Sequence, residues 1–294
     1  MNRRDTDTTN QDESGRPLDG RVAWVTGAAR GQGRAHAQRL AADGAIVIAT
    51  DLCDAPATTD YPGATPADLA ETVELITADG GTVYSAVADC RDLDGLGEVL
   101  STALEAVAPG GRLDVVVANA GIAGGAPIEV MTGHQFREMI DIDLTGVWNT
   151  VRVAVPHVLA AGNGGSIVLI SSANGGLKAP PNLSHYAAAK HGVVGIVHSL
   201  ANELGPRGIR VNSVHPTAVD TDMIHNDFTY RLFRPDLAEP TRDDVVDLFT
   251  SFHSLPVPWI DPADVSEAVA FLASDASRYI TGVTMPIDAG LSAR

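Results

Sequence analysis

Hydrophobic residues occur along the chain in short apolar runs that alternate with amphipathic stretches. The runs are rich in Val, Ile and Ala, and their nearly continuous apolar character is typical of parallel strands covered on both faces. Seven runs predict strands: Arg21–Thr26, Ala45–Asp51, Thr82–Ala88, Leu113–Ala120, Gly165–Ser172, Ile209–Pro216 and Gly282–Gly290. Helical spacing between them predicts helices that include Gly33–Ala42, Pro66–Ala78, His134–Ala160 and His185–Leu204. This alternation predicts an α/β fold, a doubly wound parallel sheet with helices on both faces.

Two segments interrupt the alternation. The first, Leu52–Pro66, is a Pro-, Thr- and Ala-rich insert directly after the second strand. The second, at about 217–262, is a long connection that carries several aromatic residues and prolines. Long connections inside a compact domain are usually binding loops or lids, so we expect a substrate lid here. Its aromatic side chains are expected either to line an apolar pocket or to pack on the core.

Composition narrows the class of protein. The 294 residues carry a formal net charge of −17, which argues against a nucleic-acid partner or an anionic membrane surface. Two cysteines cannot form a disulfide framework, and no spacing of Cys or His suggests a metal site. The polar residues 1–19 predict a disordered tail, and no apolar run approaches a membrane span. We therefore expect a cytoplasmic domain over residues 20–294.

A glycine-rich turn follows the first strand. Gly27, Gly31 and Gly33 are spaced G-x-x-x-G-x-G around Arg30 and Gln32, where the next helix begins. Glycines at such a turn let the backbone approach a pyrophosphate, and the helix N-terminus offers free N–H groups. Tight strand–helix turns also use glycine for steric reasons, but this turn lies where dinucleotides bind in an α/β fold. We therefore expect a dinucleotide site.

The second strand ends in Asp51. An acid at this position can accept hydrogen bonds from the adenosine ribose and repels a 2′-phosphate, although it can also serve as a helix N-cap or loop acid. Arg30 argues in the other direction, because a basic residue in the glycine turn can bind that phosphate. We give Asp51 the greater weight and predict NAD rather than NADP as the cofactor.

Tyr186 and Lys190 lie one helical turn apart on an otherwise apolar stripe. A phenol has a pKa near 10, and a neighbouring ammonium group stabilises the phenolate and lowers that pKa. The tyrosine can then exchange a proton with an alcohol or a carbonyl oxygen. Ser172 or Ser171, at the end of the fifth strand, can hydrogen-bond the same oxygen. The alternative is a buried tyrosine beside a lysine that reaches solvent.

These motifs resemble those of the short-chain dehydrogenase/reductase family over about residues 20–291. The shared segments are TGAARGQG, ADC at 88–90, ANAG at 118–121, YAAAK at 186–190 and HPTAVDT at 215–221. The resemblance implies a single-domain Rossmann fold. It also implies that the cofactor contacts include Leu52, Asp89, Cys90, Asn119, Ala120, Gly121, Pro216, Val219 and Thr221, together with Tyr186 and Lys190.

The insert and its flanking segments resemble the mycofactocin-coupled subfamily, which includes carveol-type dehydrogenases. In that subfamily the insert lies over bound NAD, which is thought to be recycled in place by mycofactocin. The resemblance also implies a homotetramer whose interfaces use the helices at 134–160 and 185–204. His185 and His191 are interpreted as helix-surface or interface residues, and Trp148 is expected to pack.

Three positions depart from the family pattern. Asp143 occupies the place of an asparagine that helps to hold a water chain to the lysine, so we place it with Ser172, Tyr186 and Lys190 in the catalytic set. Ala173 stands thirteen residues before the tyrosine, where the family has serine, and a one-residue insertion nearby would restore the role to Ser172. Thr217 replaces a glycine at the start of the lid.

The leading hypothesis is an NAD-dependent enzyme that interconverts an apolar secondary alcohol, terpenoid- or steroid-like, and its ketone. The rival hypothesis is a noncatalytic NAD-binding sensor or scaffold with the same fold. Asp143 and the displaced serine favour the rival, whereas the tyrosine–lysine pair favours the enzyme. A sugar-nucleotide epimerase is disfavoured because such enzymes normally need a larger C-terminal domain.

Overall fold

Seven parallel strands form one sheet in the computed structural model, which describes residues 15–294. The strands are β1 (Val22–Thr26), β2 (Ile46–Asp51), β3 (Thr82–Val87), β4 (Val115–Ala118), β5 (Gly165–Ile170), β6 (Ile209–Pro216) and β7 (Thr284–Ile287). Their order across the sheet is β3-β2-β1-β4-β5-β6-β7. Strands β1 to β3 are added toward one edge of the sheet and β4 to β7 toward the other, so the strand order switches between β1 and β4. In doubly wound folds, ligands bind at the carboxyl ends of the strands beside such a switch point. The predicted fold class is confirmed.

The described residues contain nine α-helices, of which six cover the two faces of the sheet. The nine helices are α1 (Gly31–Ala42), α2 (Pro66–Ala78), α3 (Leu93–Val107), α4 (Gly133–Ile140), α5 (Val147–Ala161), α6 (Ser184–Leu204), α7 (Asp227–Phe233), α8 (Arg242–Phe252) and α9 (Pro262–Ala273). Helices α1, α2 and α9 pack on one face, and α3, α5 and α6 pack on the other. Strand β1 contributes alternate side chains to both cores, with Ala23 and Val25 on one side and Val22 and Trp24 on the other.

The helix predicted at 134–160 is interrupted by a π-helical turn, Asp141–Gly146, between α4 and α5. Turns of this kind hold one residue more than an α-helical turn and are frequent at functional sites. Apolar periodicity did not indicate the interruption. The turn brings Asp143 into the interior, where its side chain is fully buried.

At the N-terminus, the expected disordered tail falls partly outside the described residues, because residues 1–14 are not among them. Within the described part of that segment, Leu18 is packed against the domain, whereas Gly15, Arg16 and Pro17 are exposed. Leu18 is fully buried, and its N–H donates to the Asp43 carbonyl at 2.8 Å. The ordered domain therefore begins before Gly20. No helix within residues 15–294 is both long and apolar enough to cross a membrane.

The expected lid folds upon itself. Helices α7 and α8 enclose a separate small core in which Tyr230, Val245 and Phe249 are buried. Phe249 lies edge-on to Phe233, with ring centroids 4.8 Å apart. The two ends of the lid meet where Val219 pairs with Ile260. The aromatic side chains of the lid pack against one another in this small core, whereas the sequence predicted that they line a pocket or pack on the main core.

At the start of the lid, Thr217 lies where the family has glycine. Its hydroxyl is 2.6 Å from Nε2 of buried His253, whose Nδ1 lies 2.6 Å from the Val257 carbonyl oxygen. The threonine therefore links the end of β6 to the far end of the lid.

Candidate active site

The glycine turn between β1 and α1 packs tightly on the end of β4. A Cβ atom on Gly33 would lie 1.9 Å from the Gly27 carbonyl oxygen, so no larger residue fits there without displacing the turn. Gly27 itself has φ +67°, a conformation that favours glycine. Asn119, just after β4, stabilises the turn, because its Nδ2 donates to the carbonyl oxygens of Thr26 at 3.0 Å and Gly27 at 3.1 Å.

Asp51 lies at the end of β2 beside this turn. Its two carboxylate oxygens accept hydrogen bonds from the backbone N–H groups of Ala29 and Cys53, each at 3.0 Å. The carboxylate therefore ties the glycine turn to the first residues of the insert. A carboxylate oxygen can accept more than one hydrogen bond, so Asp51 retains acceptor capacity toward a ribose.

Arg30 has partners on both sides of the cleft. Its Nη1 lies 3.0 Å from Asp222 at the start of the lid, and its Nη2 donates to the Pro62 carbonyl in the insert. The guanidinium group therefore links the insert to the lid. A 2′-phosphate would have to compete with Asp222 for it, which weakens the case for NADP that Arg30 raised.

Leu52–Pro66 is held against the domain by side chains from distant parts of the chain. The carboxylate of Glu138, a buried residue on α4, accepts hydrogen bonds from the N–H groups of Ala57 at 3.0 Å and Thr58 at 2.6 Å. The Tyr61 hydroxyl accepts a hydrogen bond from the Ala123 N–H at 3.2 Å, just beyond β4. Burial raises the pKa of Tyr61 to about 12, so its phenol stays neutral. The insert therefore spans the cleft.

At the opposite end of the cleft, Tyr186 in the first turn of α6 meets the end of β5. Its hydroxyl lies near the Ser172 side chain, which acts to lower the pKa of the phenol. Burial and the Asp143 carboxylate raise the pKa of Tyr186, whereas Lys190 lowers it. Burial is the largest of these effects, and the pKa of Tyr186 lies above its ordinary value. Lys190 Nζ lies 5.7 Å from the centre of the tyrosine ring.

The two candidate serines have different surroundings. Ser171 borders the cleft, but its hydroxyl donates to the Lys190 carbonyl at 3.0 Å. Ser172 is the serine beside Tyr186. After it, residues 173–177 form a π-helical turn in which the Lys178 N–H donates to the Ala173 carbonyl at 2.8 Å. A π turn accommodates one extra residue, which is the insertion that the thirteen-residue spacing required.

Lys190 is 4 % exposed and has two polar neighbours. Its Nζ donates to the Ile170 carbonyl at 3.2 Å and lies 3.0 Å from Oδ2 of Asp143. Burial is the largest single effect and lowers the pKa of Lys190, but Asp143 and Tyr186 together raise it above the ordinary value. The ammonium group is therefore retained in the interior.

A cavity of about 450 Å³ joins these parts, from Asp51 and Asp89 at one end to Tyr186 at the other. The predicted residues that line it are Gly27, Arg30, Gly31, Gln32, Gly33, Asp51, Leu52, Asp89, Cys90, Asn119, Ala120, Gly121, Asp143, Tyr186, Lys190 and Thr221. Gln32 Oε1 is buried there without a hydrogen-bond partner in residues 15–294, as expected of a polar group that awaits a ligand. The glycine turn, the acid at β2 and this orphaned oxygen fit a dinucleotide.

Two predicted cofactor residues, Pro216 and Val219, do not line this cavity, and neither does the predicted catalytic residue Ser172. All three are buried, Val219 in a hydrophobic core. The interpretation of His185 as a surface residue was wrong. It is 3 % exposed, and its Nδ1 accepts a hydrogen bond from the Tyr186 N–H at 2.9 Å. His191, by contrast, is exposed.

Sequence reasoning missed the contact of Tyr61 with Ala123 and the contacts of Glu138 with the insert. Tyr61 was visible as the single large aromatic residue of the insert. Glu138 gave no signal, because an acidic residue on an amphipathic helix normally faces solvent.

Comparison with known proteins places this geometry in a family. A family profile described as enoyl-(acyl carrier protein) reductase matches residues 27–292. The chain is 50% identical to (-)-trans-carveol dehydrogenase of Rhodococcus erythropolis over 274 residues, 93% of this chain and 98% of the relative. It is 42% identical to a short chain dehydrogenase from Mycobacterium paratuberculosis bound to NAD, with a TM-score of 0.85 over 95% of this chain and 100% of the other. The chain belongs to the short-chain dehydrogenase/reductase family.

A second solved structure supports the same relationship within this family. The crystal structure of carveol dehydrogenase from Mycobacterium avium in complex with NAD superimposes with a TM-score of 0.92 at 51% identity, covering 95% of this chain and 99% of the other. The family resemblance inferred from the motifs and the similarity to carveol-type dehydrogenases are therefore confirmed. This dehydrogenase/reductase is an oxidoreductase by family.

Proposed function

We propose that this protein is an NAD-dependent dehydrogenase that interconverts an apolar secondary alcohol, terpenoid- or steroid-like, and the corresponding ketone. The observation that carries the proposal is the meeting of Tyr186 and Lys190 at one end of a cleft shaped for a dinucleotide, with Ser172 near the tyrosine hydroxyl. The similarity to carveol dehydrogenases supports the substrate class, since carveol is a cyclic terpenoid secondary alcohol. Bound NAD would supply the hydride acceptor or donor.

The residues of this chain handle the proton. During alcohol oxidation the deprotonated hydroxyl of Tyr186 takes the proton of the substrate hydroxyl, and during ketone reduction the phenol returns it to the carbonyl oxygen. Ser172 hydrogen-bonds the same oxygen and positions it for the transfer. The Lys190 ammonium stabilises the phenolate and lies deep enough in the protein to act in a low-dielectric environment.

The preference for NAD rests on Asp51. Its carboxylate lies at the adenosine end of the cleft and repels a 2′-phosphate, whereas Arg30 is engaged by Asp222 and Pro62.

The insert holds NAD in place and slows its exchange. This part of the proposal is supported by the bonds from Glu138 to Ala57 and Thr58, from Tyr61 to Ala123, and from Arg30 to Pro62, which fasten the insert across the cleft. A cofactor that cannot leave must be returned to its starting oxidation state where it is bound. A redox partner such as mycofactocin would perform that role.

Assembly into a homotetramer is the remaining part of the proposal. Two large apolar side chains lie exposed on the helices assigned to the interfaces: Phe136 on α4 is 42% exposed, and Trp148 on α5 is 44% exposed. Trp148 was expected to pack within the chain and does not. Exposed aromatic residues of this size favour an interface.

The test compares Tyr186→Phe and Ser172→Ala with the wild type on a panel of cyclic secondary alcohols that includes carveol, with an artificial electron acceptor present. Tyr186→Phe should lower kcat by about 100-fold or more while NAD affinity stays nearly unchanged. Ser172→Ala should also lower kcat, and Ser171→Ala serves as the matched control that retains most of the activity. Substantial turnover by Tyr186→Phe contradicts the proposal. A wild type that binds NAD and oxidises none of the alcohols favours the noncatalytic alternative.

A further inference from the structure

Asp143 places a carboxylate where the family pattern has a neutral amide. The side chain is fully buried in the π-helical turn between α4 and α5. Oδ1 accepts a hydrogen bond from the Ile122 N–H at 2.8 Å. Oδ2 lies 3.0 Å from Lys190 Nζ and has no other polar partner in the part of the chain that the structure describes. Burial raises the pKa of Asp143 above its ordinary value, whereas the Lys190 ammonium and the Ile122 N–H act in the opposite direction. The carboxylate is held between these two groups and is aimed at the lysine.

This ion pair changes the electrostatic field at Tyr186. With a neutral amide at position 143, the full positive charge of Lys190 would act on the phenol. With a carboxylate 3.0 Å from the ammonium, the pair is close to neutral overall, so Asp143 offsets part of the stabilisation that Lys190 gives to the phenolate. The carboxylate also repels the phenolate directly. Both effects favour the protonated phenol.

Four further ionisable side chains face this pair from the surrounding elements: Tyr61 from the insert, Cys90 after β3, His185 on α6 and His215 on β6. Burial raises the pKa of the Tyr61 phenol and of the Cys90 thiol to about 12 each. Burial lowers the pKa of both histidines below the ordinary value. From about pH 7 to 10 these four groups are therefore neutral, which leaves Asp143, Lys190 and Tyr186 to set the electrostatics of proton transfer.

We propose that Asp143 is a positioning residue that pins the Lys190 ammonium through a buried ion pair and keeps Tyr186 in its proton-donating form at neutral pH. The inference rests on the proposed function and deepens it. Reduction of a ketone requires the phenol, and oxidation of an alcohol requires the phenolate. The site is thereby set for ketone reduction near neutral pH and for alcohol oxidation at alkaline pH.

The test measures ionisation of Tyr186 directly and needs no substrate. Ultraviolet titration near 295 nm follows tyrosinate formation, and the difference between a protein and its Tyr186→Phe derivative isolates this one residue. The titration is done on the full chain as purified and again with saturating NAD. Asp143→Asn should increase the acid dissociation constant of Tyr186 by about tenfold or more, because removal of a neighbouring like charge shifts a pKa by about one unit or more. Asp141→Asn is the matched control, because it removes an exposed carboxylate from the same turn and should leave the titration unchanged.

If the acid dissociation constant of Tyr186 in Asp143→Asn is the same as in the wild type, or smaller, the inference is overturned. If that variant does not fold, the wild type itself decides: its Tyr186 should ionise at or above the ordinary value near 10, and a midpoint near neutrality refutes the role of Asp143. Failure of the proposed function gives a different result, namely activity retained by Tyr186→Phe, whatever the titration shows.

Discussion

The Glu138→Gln substitution tests whether the insert controls release of NAD. The wild-type carboxylate accepts two backbone N–H groups of the insert, at 3.0 Å from Ala57 and 2.6 Å from Thr58. Glutamine has one acceptor oxygen, so its NH2 group would face the second N–H as another donor. Loss of one charge-assisted hydrogen bond costs about 2 kcal/mol. Since 1.4 kcal/mol is tenfold, the open form of the insert should become about thirtyfold more populated.

The assay is the rate at which bound NAD leaves the protein, followed by displacement with excess unlabelled cofactor. If opening of the insert limits release, Glu138→Gln should release NAD about thirtyfold faster than the wild type. It should also turn over with added NAD and no artificial electron acceptor. Glu129→Gln removes the same charge from an exposed position and should behave as the wild type. Equal release rates for Glu138→Gln and the wild type would refute the reasoning, as would a wild type that is purified empty and turns over freely.

The pH dependence of NAD retention provides a second check on Glu138. Although burial acts in the opposite direction, the bonds from Thr58 and Ala57 lower the pKa of Glu138 below its ordinary value. A carboxyl group whose pKa is lowered in the closed form stabilises that form above its ordinary pKa and loses this effect as pH falls through the lowered value. Release of NAD should therefore be constant near neutrality and accelerate only below the ordinary glutamate pKa of about 4.3.

Three further substitutions test other parts of the site. Asp51→Asn should reduce the preference for NAD over NADP by roughly fivefold or more in binding titrations, because two unit charges about 4 Å apart repel by about 1 to 4 kcal/mol. A wild type that already prefers NADP contradicts the assignment. Gly33→Ala should lower the free energy of unfolding by about 1 to 3 kcal/mol in denaturant titrations and weaken NAD binding, because its Cβ would lie 1.9 Å from the Gly27 carbonyl oxygen. Trp148→Arg should dissociate the tetramer in light-scattering measurements, whereas a wild type that is monomeric at micromolar concentration refutes the predicted assembly.

Features that depend on neighbours within a few residues could be predicted from the sequence. Apolar periodicity located all seven strands, because burial of both sheet faces requires nearly continuous apolar runs. The glycine turn follows from backbone sterics between β1 and α1. Tyr186 and Lys190 could be paired because side chains four residues apart lie on one face of a helix. Even the displacement to Ser172 was visible as a one-residue discrepancy in spacing.

Features that depend on distant segments were decided by the tertiary structure. Glu138 reaches Thr58 across 80 positions and Arg30 reaches Asp222 across 192, and no periodicity records either contact. The burial of His185 and the exposure of Trp148 likewise depend on which segments pack over α6 and α5. The charge balance at Lys190 depends on the π-helical turn that carries Asp143 into the interior. The physical reason is common to all of them: local spacing determines which residues share a face, whereas the electrostatic environment of a side chain is created by whatever the rest of the chain brings against it.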